Sequence, residues 1–178
     1  MPNDVGAISI RPVEPGDLSL LGEWMRRPYW REWWGEPEYE LGLIRDMIEG
    51  RDTTRPYIIE VDGEPAGYIQ VWFIGHHQNE SWINDHPWLA ELPPEAVGVD
   101  LSIGEAGLLS KGIGSAALSV FVRRLLDEGC KTVVIDPDPA NRRAVRAYEK
   151  AGFRPIPELL GRTGDSLIMQ FDFNETSQ

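Results

Sequence analysis

The sequence predicts a layered α/β domain of the α+β kind, and three observations carry that reading. Strand-like runs in the first half, joined by a hairpin signal, form an antiparallel meander, and in the second half helical segments fall between short apolar strands. The 178 residues are 42% hydrophobic and 26% charged, which suits one domain with a substantial core. No apolar run approaches the ~20 residues that a membrane helix needs.

The elements follow in order. Ile8-Ser9-Ile10-Arg11-Pro12-Val13 alternates as a strand, and Glu14-Pro15-Gly16-Asp17 turns the chain with Asp17 placed to cap a helix over residues 18–26. Residues 30–39 are aromatic, contain Gly35 and Pro37, and read as a loop between two helices. Leu41, Ile44, Met47 and Ile48 recur at helical spacing. Residues 57–61 and 65–74 are strand-like and flank Asp62-Gly63-Glu64, a hairpin signal because Asp-Gly accepts positive φ at little cost. Residues 75–95 carry His76, His77, Trp82, His86, Pro87, Trp88, Pro93 and Pro94 and read as a long loop insertion over the surface. A strand over 96–103, a helix over 112–126, a short buried strand over 132–135, a helix over 141–151 closed by Gly152, and a last strand over 167–173 complete the chain.

Composition narrows the function. A formal charge of −12 argues against nucleic acid as a partner, since a phosphate backbone needs a basic surface, and it suits a cationic small molecule. The single Cys130 excludes a disulfide framework and a cysteine-based zinc site, and the three histidines lack a metal-ligand spacing, so no metal is expected. The amino-terminal residues show neither a basic region nor an apolar stretch, so a cytoplasmic protein without a secretory signal or a membrane segment is the expectation. Oligomeric state stays open.

Two motifs carry chemistry. Leu109-Ser110-Lys111-Gly112-Ile113-Gly114-Ser115 lies between a strand and a helix: the glycines let an anion approach the backbone, the first helical N–H groups point at it, and Lys111 adds a cation. It is neither a Walker loop nor a full dinucleotide fingerprint. About thirty residues on, Asn141, Ala144 and Tyr148 lie at i, i+3 and i+7 on one helical face, where a small alanine leaves room beside a ligand and a phenol can give a proton to a leaving group. Tyr148 alone could be a packed core aromatic; the occurrence of both motifs in this order favours a ligand-facing role.

Together these segments resemble the GNAT superfamily of acyl-CoA-dependent N-acyltransferases, over most of the chain from the first strand to Phe153. The loop looks like that family's pyrophosphate-binding motif, and residues 141–153 look like its Asn…Ala…Tyr-Glu-Lys-x-Gly-Phe segment; Leu109 departs from the Gln or Arg often found there. The resemblance implies the GNAT fold, a mixed central sheet with a splayed pair of parallel strands and helices on both faces, and acetyl-CoA as co-substrate. By the same resemblance, Leu101, Ser102 and Ile103 would pair with pantetheine, and Tyr148 would protonate the departing thiolate.

A closer likeness is to the aminoglycoside 6′-N-acetyltransferases, through Glu32-Trp33-Trp34-Gly35, Gly63-Glu64-Pro65-x-Gly67-Tyr68-x-Gln70, Gly98-x-Asp100 and Asp136-Pro137-x-Pro139-x-Asn141. It implies a cytoplasmic antibiotic-resistance type of enzyme. Asp100 would sit beside the amine as base or as positioning group, and Asp136 would line an acidic pocket with Trp33, Trp34, Tyr68 and Gln70. Hydroxylysine acyltransferases of siderophore assembly look similar but carry histidine where this chain has Asp100. A polyamine acyltransferase and a non-catalytic acyl-CoA-binding module are the other readings. An amine must lose its proton before it attacks a thioester, and an aspartate of ordinary pKa is a weak base for that task.

Overall fold

A computed structural model describes residues 5–174. The strands are β1 (Ile8–Pro12), β2 (Arg55–Val61), β3 (Glu64–Phe73), β4 (Val97–Ile103), β5 (Val133–Ile135), β6 (Phe153–Pro155) and β7 (Met169–Phe171), hydrogen-bonded in the order β1-β2-β3-β4-β5-β7-β6. The α-helices are α1 (Leu18–Met25), α2 (Pro28–Trp33), α3 (Pro37–Ile48), α4 (Glu80–Asp85), α5 (Ile113–Asp127) and α6 (Arg142–Lys150). The chain divides into two compact units: the residues up to Gln70 with Leu101–Ala117, and Val71–Asp100 with the residues from Leu118 onward.

In the first unit β1 and β2 pair antiparallel from Ile8↔Val61 to Pro12↔Tyr57. Asp62 (φ 51°) and Gly63 (φ 83°) both take positive φ in the β2–β3 turn, the geometry their pairing in sequence favours. Val13, Leu21, Trp24, Met25, Trp30, Leu41, Ile44, Ile58 and Tyr68 form the core. Trp24, Trp30, Trp34 and Tyr68 follow one another through ring contacts of 6.4, 5.4 and 5.8 Å. Each buried ring of this size contributes roughly 4–6 kcal/mol of gross burial before ordering entropy is subtracted.

Two expectations are corrected here. The loop expected over 30–39 is mostly helix, because Pro28 and Pro37 occupy first-turn positions where a fixed φ starts a helix rather than breaking one. Asp17 does stand before α1, but its carboxylate accepts the Glu14 N–H at 2.8 Å and two bonds from the Arg11 guanidinium at 2.8 and 2.9 Å. It closes the 3-10 turn Pro15–Asp17 instead of capping α1. The Arg11 hydrogen bonds hold the Asp17 carboxyl below its ordinary range.

In the second unit, β4 and β5 run parallel with register Val97↔Val133 and Gly98↔Val134. β5 pairs antiparallel with β7, and β7 with β6. The surface loop expected over 75–95 is instead a packed helical segment: a 3-10 turn (Ile74–His77), α4, and a second 3-10 turn (Pro87–Glu91). Trp88, Leu89 and Leu92 from this segment are buried with Ile74, Ala96, Val134, Leu159 and Ile168. The Gln78 amide ties it down, donating to the Leu89 and Leu92 carbonyls at 2.9 Å each. Rings of Trp72, His77, Trp82, His86 and Trp88 touch in succession at 5.1, 4.8, 5.9 and 6.4 Å.

β6 escapes a periodicity reading at three residues, yet Phe153 packs edge-on against Phe171 at 5.5 Å. The last strand is shorter than the expected 167–173, because the Leu167 N–H is drawn to the Pro137 carbonyl (2.8 Å) before β7 begins.

Candidate active site

The glycine loop belongs to the first unit. Leu109 is extended, Ser110 (φ 61°) and Gly112 (φ 84°) take left-handed backbone on either side of the exposed Lys111, and α5 starts at Ile113. Left-handed φ is strained for serine by about 1–2 kcal/mol, strain that persists where the surroundings fix the loop. The first N–H groups of α5, those of Ile113, Gly114 and Ser115, have no acceptor within their own helix. The Ser115 hydroxyl turns back to the Gly112 carbonyl at 3.3 Å, and Gly114 lies beside Leu101, whose Cδ1 would sit 3.8 Å from an added Cβ. The loop is thus a narrow turn of backbone donors with one cation, suited to a diphosphate.

The aromatic residues expected at the substrate fall in the same unit with different exposures. Trp33 is exposed, whereas the next residue, Trp34, packs on Trp30 and Tyr68. Tyr68 is fully buried, and its hydroxyl donates to Gln70 Oε1 at 2.6 Å. Gln70 is half-buried, so of these two it is the residue that solvent reaches.

Asp100, Asp136 and Tyr148 come together in the second unit. β4 and β5 pair in parallel at Val97↔Val133 and Gly98↔Val134; Asp100 lies three residues past Val97 on β4, and Asp136 three past Val133, just beyond the end of β5. They form a hydrogen-bonded carboxyl pair. Burial first, then the charge of Asp100 and the hydrogen bond to it, pushes the Asp136 carboxyl well above the usual carboxylate range. Both residues remain half-buried, so water reaches the pair. Tyr148 on α6 is buried, and that burial, together with the charges of Asp100 and Asp136, raises its phenol above its ordinary value. It stays protonated across the physiological range.

Asn141 caps α6, its Oδ1 accepting the Ala144 N–H at 3.3 Å, so the asparagine of the motif has a helix-starting role visible in this chain. Ala144 is half-buried one turn before Tyr148. Tyr29 and Glu105 were not singled out by sequence, because their contacts join segments 74 to 81 positions apart. Among the described residues no cluster of three His, Cys, Asp or Glu side chains could hold a metal ion, and no helix is long and apolar enough to cross a membrane.

Comparison with known proteins bears on the family. The model of the acetyltransferase (GNAT) domain matches residues 14–160. An aminoglycoside N(6′)-acetyltransferase type 1 from Klebsiella pneumoniae is 32% identical over 158 residues, covering 85% of this chain and 76% of that protein. Lysine N-acyltransferase MbtK from Mycolicibacterium paratuberculosis is 24% identical over 84% of the chain and 66% of its own length. Among solved structures, AAC(6′)-Ib in complex with acetyl-CoA and paromomycin superposes with a TM-score of 0.79 at 28% identity, covering 97% of both chains. The same enzyme with coenzyme A and kanamycin gives 0.79 over 96% of this chain and 99% of that one. The chain belongs to the GNAT acetyltransferase family.

Proposed function

We propose that the protein transfers an acetyl group from acetyl-CoA to a primary amine of a small polycationic substrate, with the 6′-amino group of an aminoglycoside as the acceptor. The observation that carries this reading is the Asp100–Asp136 pair, one carboxyl on β4 and the other on the residue that follows its parallel neighbour β5, with the charge of both acting on the Tyr148 phenol. Family membership and the aminoglycoside acetyltransferases among the relatives support it.

Acetyl-CoA supplies an activated acetyl carbonyl and a sulfur leaving group. The residues fit it: Ser110, Lys111, Gly112 and the first amides of α5 present donors to a diphosphate, and Leu101 and Ile103 offer strand backbone to a pantetheine arm, while Ser102, expected with them from the sequence, turns its carbonyl toward Gly67 of β3. The carboxyl pair binds and orients the ammonium. The raised proton affinity of Asp136 supports the pair as an acceptor of the ammonium proton, where an ordinary aspartate would be a weak base. Tyr148 holds a proton at Oη for the sulfur.

The test is thiol release from acetyl-CoA with aminoglycosides bearing a 6′-amino group, their 6′-hydroxyl counterparts, polyamines and hydroxylysine. Release with the 6′-amino compounds only is expected. Release with hydroxylysine alone moves the protein to the siderophore branch, and CoA binding without release from any amine makes it a binding module.

A further inference from the structure

The end of β4 is held by a device that the acetyltransferase reading does not use. Gly104 N–H donates to the Ala66 carbonyl at 2.7 Å, so at that position the backbone points toward β3. In a strand, successive N–H and C=O groups alternate between edges, and this alternation puts the backbone groups of Leu101 and Ile103 on the opposite edge. On that edge the Tyr29 hydroxyl, from α2, donates to the Ile103 carbonyl at 2.9 Å and also reaches the Gly104 carbonyl. One hydroxyl serving two consecutive carbonyls means that the alternation breaks at Gly104. The break is fixed from α1 and from the residue that precedes α2 as well. Trp24 Nε1 and the Arg27 guanidinium each donate to Glu105 at 3.0 Å, and Gly104 lies so close to the Trp24 indole that an added Cβ would come within 2.2 Å of it.

We propose that Tyr29 is a positioning residue for acetyl-CoA: by occupying the Ile103 carbonyl it ends the open edge of β4 on the loop side. The edge it leaves consists of the Ile103 N–H and both backbone groups of Leu101. A pantetheine arm that starts from a diphosphate on the 109–115 loop then pairs from Ile103 N–H inward and takes Leu101 as its anchor. Tyr29 sets that register. The proposal rests on the acetyl-CoA reading of the loop and of β4.

The experiment is equilibrium binding of CoA and of 3′-phospho-ADP, which lacks the pantetheine arm, to wild-type protein and to Tyr29→Phe. CoA affinity is expected to fall roughly 3- to 10-fold in the variant, the worth of one lost hydrogen bond, with 3′-phospho-ADP changed by less than about twofold. In turnover the variant's loss is expected to be larger in the KM for acetyl-CoA than in kcat. Equal weakening of both ligands, or no change in either, overturns the assignment. Wild-type protein that binds neither ligand overturns the cofactor reading itself, a separate failure. Should Tyr29→Phe not fold, hydrogen exchange in the wild type decides. CoA must slow exchange at the Leu101 and Ile103 amides where 3′-phospho-ADP does not, and equal protection by both ligands overturns the proposal.

Discussion

At the scale of single residues, the Asp100–Asp136 pair ties stability to pH. The folded protein holds a proton on Asp136 more tightly than the unfolded chain does. The pair's contribution to stability is therefore largest in acid and declines as pH rises from the ordinary carboxylate range through the raised native value, where the proton is stripped from a partly buried pair. Asp136→Asn removes that loss. Its thermal midpoint should exceed wild type at neutral pH, with the difference shrinking to nothing in acid, while turnover of a cationic amine falls. Melting curves across pH 4 to 8 check it, and an equal gain at every pH would contradict it. Tyr148 makes a complementary case: its phenol keeps its proton, so Tyr148→Phe should lower kcat by about 10²-fold or more with little change in CoA affinity. Equal losses in both, read from steady-state kinetics beside calorimetry, would make the ring structural.

At the scale of elements, the end of β4 is a steric fit as much as a hydrogen-bonded one. Gly104→Ala forces a methyl into the buried Trp24 ring and should cost about 1–3 kcal/mol, lowering the thermal midpoint by roughly 3–10 °C. An unchanged midpoint would mean that α1 yields. Elements with strong periodicity or turn chemistry were legible in the sequence: β1, the Asp62-Gly63 hairpin, α5, and α6 with its Gly152 stop. Elements decided by long-range packing were not. Prolines mark breaks in a one-dimensional reading, but Pro28, Pro37 and Pro87 each open a helical turn here. The 75–95 segment looked like surface because its polar residues outnumber its apolar ones, and only the fold reveals that Trp88, Leu89 and Leu92 meet Ile168 and Leu159. The candidate site divides the same way. Glycines and the Asn…Ala…Tyr spacing are local marks, whereas Tyr29 on Ile103 is a contact across 74 positions.

At the scale of the whole molecule, the charge of −12 should act with opposite sign on the two substrates. Adding salt screens an attraction for a polycationic amine and a repulsion for acetyl-CoA. The kcat/KM for the amine should fall by about tenfold or more between low salt and ~0.5 M, while that for acetyl-CoA holds or rises; parallel behaviour of the two would assign the charge to solubility alone. One further consequence follows from the strand ends that carry Asp100 and Asp136. Asp100 stands on β4 and Asp136 directly follows β5, so the backbone ladder at Val97 and Gly98 sets the ends of the two strands from which both carboxyls project. Helices and turns elsewhere can therefore drift, lengthen or be exchanged in evolution, changing which amine is accepted, while the carboxyl pair is inherited intact. A laboratory selection for new acceptors should accordingly collect its substitutions outside these two strands.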